Sequence, residues 1–237
     1  MIQTTKSCQH KTESLTRKLG IRLLRACSLS NIAMNSLKPV SLSLSLLSLV
    51  SAVNMVFASD PDILSDFVAP TNTIIDGKFF TYTGMRGVLA KFPQNFTLTK
   101  ATMNEFPALN GQSVSYAVLQ YPAGSLNPPH THPRAAELLF LVYGSLDVGF
   151  IDTKNVLYTQ KLQVGDMFIF PKGLVHYQSN PTKEPAVAIS SFGSANAGTV
   201  SVPLAVFSTG IDDGILAKAF KTDVYTIQKI KSGFGKP

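Results

Sequence analysis

The 237-residue sequence predicts an all-β fold, a barrel or sandwich of short antiparallel strands followed by short C-terminal helices. Three observations point there. Past residue 70 the chain falls into short apolar or alternating runs rich in Val, Leu, Ile, Phe and Tyr. Gly, Pro and Asn interrupt these runs at short intervals, and no helix-length amphipathic stretch separates them, which excludes a βαβ sheet. Only residues 212–231 change to a helical period.

Taken in order, Ser59 to about Pro70 is acidic and loop-like. Strand-length runs follow at Ser113–Tyr121, Glu137–Val142, Leu146–Ile151, Asn155–Val164, Met167–Phe170, Ala186–Phe192 and Thr199–Phe207. The turns between them fall at Gly124, Gly144, Gly165-Asp166, Pro171-Lys172-Gly173, Asn180-Pro181 and Gly193. In the tail, Ile215, Leu216, Ala219 and Phe220 form one apolar face, and Val224, Ile227 and Ile230 form a second. Asp212 and Asp213 precede these faces, and Lys229 and Lys231 follow, as two short helices prefer. Such helices can dock on a neighbouring subunit or on their own barrel.

Apolar residues make up 45% of the chain and charged residues 15%, which excludes a disordered or coiled-coil protein. The net charge of +7 suggests a nucleic-acid partner only until its distribution is seen. Residues 1–58 hold seven basic residues and one acid, and the remainder has 14 basic against 13 acidic. Within this front, residues 40–53 are an uncharged Leu- and Ser-rich run behind Lys38. Val56-Phe57-Ala58 then precedes Ser59-Asp60-Pro61, which fits signal-peptidase cleavage after Ala58. The run is too short and Ser-interrupted for a membrane span. We therefore expect residues 1–58 to be a leader and secretory signal peptide and 59–237 a single domain, secreted, with no membrane or nucleic-acid partner. Met34 begins an ordinary signal peptide and is an alternative start. A transit peptide is the competing reading of the basic leader. Cys8 and Cys27 both precede the cut, so the mature chain would have no disulfide. Asn95-Phe96-Thr97 is a sequon that makes Asn95 a candidate glycan site.

After that cut, three of the four histidines remain: His130, His132 and His176. Residues i and i+2 of a strand face the same way, so His130 and His132 can bind one ion together. Glu137 has the wrong parity for that strand. Pro133-Arg134 breaks it, so Glu137 can enter from the next. His176 follows the Pro171-Lys172-Gly173 turn. Three imidazoles and a carboxylate suit Mn, Fe or Zn, and the lack of thiols argues against a structural Cys-type zinc site. Singly these residues have blander readings, such as an exposed pair between Glu137 and Arg134, which would be worth little.

The joint spacing carries more. Gly124, five residues, His130-x-His132, four residues, Glu137, six residues, Gly144 resembles the first cupin motif. Gly165, five residues, Pro171-x-Gly173, two residues, His176, three residues, Asn180 resembles the second. The stretch from Asn127 to Ala135, with Thr83-Gly84-Met85-Arg86 and Leu216-Ala217-Lys218-Ala219-Phe220, is similar to the germin branch, the germin-like proteins of plants. The resemblance covers essentially all of 59–237. It implies a cupin jelly-roll β-barrel with short C-terminal α-helices, assembled as a homohexamer (a trimer of dimers) in the apoplast or cell wall. It also implies that His130, His132, Glu137 and His176 bind Mn2+. Three departures accompany it. The usual N-terminal disulfide has no cysteines to form it, and Lys172-Gly173-Leu174 replaces an Arg-Gly-Asp-like tripeptide seen in some relatives. The oxalate-oxidising members also place two asparagines by the metal. Asn127 matches one, as a candidate group beside the metal ligands, and Ala117 stands where the other is expected. A methyl group cannot hydrogen-bond a bound carboxylate, which disfavours oxalate oxidase. The expected function is a defence- or wall-related manganese protein that dismutates superoxide. A structural, nutrient-reservoir or binding protein without catalysis is the alternative, and oxalate oxidase comes last.

Overall fold

The computed structural model describes residues 60–234. The leader, its Met34 start, Cys8 and Cys27 lie outside the described residues.

Ten strands form two five-stranded sheets, and every pairing between them is antiparallel. They are β1 (Thr97–Ala101), β2 (Ser115–Tyr121), β3 (Leu126–Thr131), β4 (Glu137–Tyr143), β5 (Leu146–Ile151), β6 (Leu157–Leu162), β7 (Met167–Phe170), β8 (Val175–Ser179), β9 (Ala186–Phe192) and β10 (Val200–Ser201). One sheet runs β1-β2-β9-β4-β7 and the other β10-β3-β8-β5-β6. The core between them is apolar and includes Leu119, Tyr121, Leu139, Leu141, Leu146 and Phe170, each at 1% exposure or less. The period-2 pattern is clearest in β4, where Glu137, Leu139 and Leu141 are buried and the residues between them are not. Gly144 then turns the chain into β5 with φ of 80°. A Cβ there would lie 2.5 Å from the Pro185 carbonyl oxygen, so both dihedral and space demand glycine.

The expected strand over Thr199–Phe207 is a correction. Only Val200–Ser201 is extended, and Val202–Phe207 forms a helix, α1. Pro203 lies in its first turn, where a missing N–H costs nothing, and an apolar run this short has no periodicity to distinguish the two states. Both tail helices form, as α2 (Asp213–Ala219) and α3 (Val224–Ser232). Asp212 caps α2 by accepting from the Ile215 N–H at 3.0 Å, and Asp223 caps α3 by accepting from Thr226 at 2.9 Å. Leu216, Ala217 and Ile227 pack against Val206 and Phe207, so the helices form a small core of their own. Ile215, Phe220, Val224 and Tyr225 remain exposed. Among the described residues no helix is long and apolar enough to cross a membrane.

Side-chain hydrogen bonds, in place of a disulfide, tie the start of the described chain to the barrel. The Asp60 carboxylate accepts from Ser194 Oγ and from the Ala195 N–H, both at 2.6 Å. Gln112 donates to the Asp66 carbonyl at 3.2 Å.

Candidate metal centre

Three strands from both sheets deliver the four expected residues to one place. His130 lies on β3 and His132 is the first residue beyond it, while Glu137 opens β4 and His176 lies on β8. His130 and His176 are cross-strand partners in the β3–β8 ladder, so backbone register sets the separation of their rings, whose centroids are 4.2 Å apart. All four residues are buried, and one nitrogen or oxygen from each falls within 4.8 Å of the others. Glu137 is not a surface partner of Arg134. Arg134 donates instead to the carbonyl and side chain of Asn196, at 2.6 and 3.1 Å.

The outer nitrogen of every ring faces a backbone carbonyl. His130 Nδ1 lies 2.7 Å from Pro128 O, His132 Nδ1 2.5 Å from Gly198 O, and His176 Nδ1 2.9 Å from Leu174 O. Because a carbonyl only accepts, each Nδ1 carries a proton and donates it. The Gly198 carbonyl reaches His132 from a residue with φ of 69°, where a Cβ would meet the Arg134 guanidinium at 2.7 Å. In the neutral rings, every Nε2 is therefore an acceptor. His132 Nε2 and His176 Nε2 lie 2.9 and 3.1 Å from Glu137 Oε2. Acceptors facing acceptors in a buried cage require a cation or extra protons between them. Histidines oriented by an outer carbonyl, with a buried carboxylate, fit a first-row divalent ion.

Polar residues that sequence reasoning missed hold the carboxylate. Ser190 Oγ donates to Glu137 Oε1 at 2.6 Å, and Gln178 Nε2 donates to the same oxygen at 3.4 Å. Gln178 Oε1 in turn accepts from Asn127 Nδ2 at 2.6 Å and from the Tyr121 hydroxyl at 3.3 Å. Gln178 is two residues past His176, so the parity rule used for His130 and His132 would have found it. Ser190 has no such signal. Burial alone would raise the Glu137 carboxyl, but with extra protons on His132 and His176 in the metal-free cage their Nε2–H groups donate to it, outweigh burial and hold the carboxyl well below its usual range. Burial raises the Tyr121 phenol, with the Glu137 charge adding to it. Phe170 stacks on the His176 ring at 4.4 Å, and Phe192 meets His132 edge-on at 4.8 Å.

A cavity of about 270 Å³ opens from these residues. Asn127 and Ala117 both line it, with Phe96, Leu98, Lys100 and Thr199.

The buried imidazole gives the metal-free protein a signed pH dependence. Desolvation, with the His176 charge behind it, pushes His130 down to about 4, below the roughly 6.5 of an unfolded imidazole. The unfolded chain takes up this proton first, so stability is complete above about 6.5 and declines as pH falls towards the folded value. Glu137, whose folded value is depressed, acts in the same direction once pH falls below the ordinary carboxylate range. The melting temperature of chelator-treated protein is expected to drop between pH 7 and pH 4, and His130→Gln should flatten the upper part of that drop. Parallel profiles would show that His130 does not titrate this way.

Two antiparallel sheets enclosing three imidazoles and one carboxylate define the protein as a cupin, and the Cupin family model matches residues 92–228. Germin-like protein 9-3 of Oryza sativa subsp. japonica is 62% identical over 206 residues, spanning 83% of this chain and 96% of the rice protein. Nectarin-1 of Nicotiana plumbaginifolia is 39% identical over 202 residues, spanning 78% and 87%. A solved structure of oxalate oxidase with the substrate analogue glycolate superposes with a TM-score of 0.66 at 30% identity, covering 74% of this chain and 98% of that one. The chain belongs to the germin-like proteins.

Proposed function

We propose that this germin-like protein is secreted, holds manganese through His130, His132, Glu137 and His176, and dismutates superoxide. The cage of inward-facing acceptors carries the metal assignment: one nitrogen from each imidazole and a carboxylate oxygen lie within 4.8 Å of one another, with the rings held from behind by carbonyls and the carboxylate by Ser190 and Gln178. A manganese ion there would supply the one-electron exchange by which one superoxide is oxidised to dioxygen while a second, with two protons, is reduced to hydrogen peroxide. The chain's own residues do the rest. The three carbonyl contacts keep the rings aimed, and Ser190 and Gln178 keep the carboxylate aimed. Phe170 and Phe192 shield the cage on two sides, while the cavity leaves one approach open.

Ala117 separates this reading from oxalate oxidation. It is buried in the cavity wall, where its methyl offers no hydrogen bond to a bound dicarboxylate. The sequon supports glycosylation at Asn95, which is exposed. The run before Ala58 supports secretion of a mature chain beginning at Ser59. The exposed apolar residues of α2 and α3 support a homo-oligomer, with a hexamer as the expected form.

The deciding measurement is the metal content of mature protein purified without chelators. About one manganese per chain with superoxide dismutation is the expected result, and Ala117→Asn should leave that activity nearly unchanged. Zinc or no metal would remove the redox reading. A second reading, a structural or reservoir protein, is favoured by the origin of the four residues on three strands, which would let an ion staple both sheets. It would gain if His176→Ala dissolved the assembly together with the site. An unaltered assembly without metal would favour catalysis.

A further inference from the structure

We propose that Lys100 is the residue that selects anions at this site, an inference that rests on the metal-centre reading above. Lys100 lies on β1 directly across from Ala117 of β2, and both line the cavity that leads to the histidines. Ala117 is buried while Lys100 is exposed, which places the lysine at the outer part of the cavity wall. None of the ion pairs among the described residues uses Lys100. Glu105 feels the Lys100 charge, but its carboxylate is already engaged by the Thr102 N–H and hydroxyl at 2.9 and 2.6 Å.

The charges lining the cavity then sum in one direction. A divalent ion offset by Glu137 leaves one positive charge at the inner end, and Lys100 adds a second at the wall. Among the described residues Glu137 is the only carboxylate lining the cavity, and Phe96, Leu98, Leu119 and Phe192 supply apolar walls that concentrate the field. At about 270 Å³ the space is smaller than the usual drug-sized pocket and suits a ligand of a few non-hydrogen atoms. Lys100 therefore draws in a small monoanion and discriminates against its neutral isostere. Two sources share that chemistry, a dioxygen-derived inorganic anion and a short carboxylate.

The test is titration calorimetry of the full mature protein with azide, glycolate and the neutral glycolamide, on wild type, Lys100→Gln and Lys100→Arg, with elemental analysis of each sample. Lys100→Gln is expected to weaken anion binding about threefold to tenfold, leave glycolamide within about twofold and leave metal content unchanged, while Lys100→Arg restores the wild-type pattern. A loss confined to azide assigns the inorganic anion, and a loss confined to glycolate assigns the carboxylate. Equal weakening of glycolamide, or no weakening of either anion, overturns the proposal. The elemental figure separates the two claims. Manganese at about one per chain with no lysine effect sinks this inference alone. Lysine-dependent anion binding with zinc or iron in place of manganese sinks the manganese assignment and leaves Lys100 in its role.

Discussion

Under the proposed function, Glu137→Gln is expected to leave a folded protein with less than about a tenth of the wild-type metal content and no measurable superoxide dismutation. The reason lies in which oxygen does what. Ser190 and Gln178 both donate to Oε1, so a glutamine keeps its carbonyl oxygen there and turns its NH2 to the position of Oε2. From that position it donates to the Nε2 atoms of His132 and His176, now 2.9 and 3.1 Å from Oε2. The substitution both removes a charge and satisfies the cage with protein donors, which eliminates the need for a cation. Elemental analysis beside a thermal melt checks it. Wild-type metal content would mean that the ion does not depend on this carboxylate.

Phe170→Ala is expected to cost about 3–5 kcal/mol of stability, a fall in melting temperature on the order of 10 °C for a domain of this size. Phe170 has no exposed surface, belongs to the main core and stacks on the His176 ring with an interplanar angle of 20°. Its removal opens a cavity beneath a proposed ligand, so both the core and the aim of His176 suffer. The melt should be repeated on chelator-treated protein, where the packing loss remains and any contribution of the metal is gone. A shift of only a degree or two there would show that neighbouring side chains refill the space.

The elements most legible in the sequence were those whose local chemistry leaves one choice. His130 and His132 follow from strand parity, Glu137 from the proline break, and the Gly144 turn from the residue type that adopts a positive φ at least cost. The tail helices follow from period and from their aspartate caps. Legibility failed where tertiary context decides. Residues 202–207 read as strand because six mostly apolar residues look alike in either state, and β1 and β8 lack the apolar run that marks even the four-residue β7. Prolines 128 and 129 sit inside β3, beside a register shift between Asn127 and His130. Ser190, Asp60 and Lys100 were invisible for a different reason. Each is an ordinary polar residue whose role comes from what lies across the fold from it.

The ladder that pairs His130 with His176 also places the site late in folding. Glu137 and His176 are 39 residues apart in the chain, and their meeting requires β4, β8 and the sheets carrying them to be in register. Such non-local closure is the slow part of forming a β topology. An ion that needs every partner in place would find little to hold in the transition state. Its binding energy would therefore appear as a slower rate of unfolding and leave the rate of folding nearly untouched. A metal in this position would act as a kinetic lock, lengthening the life of a molecule that has already folded.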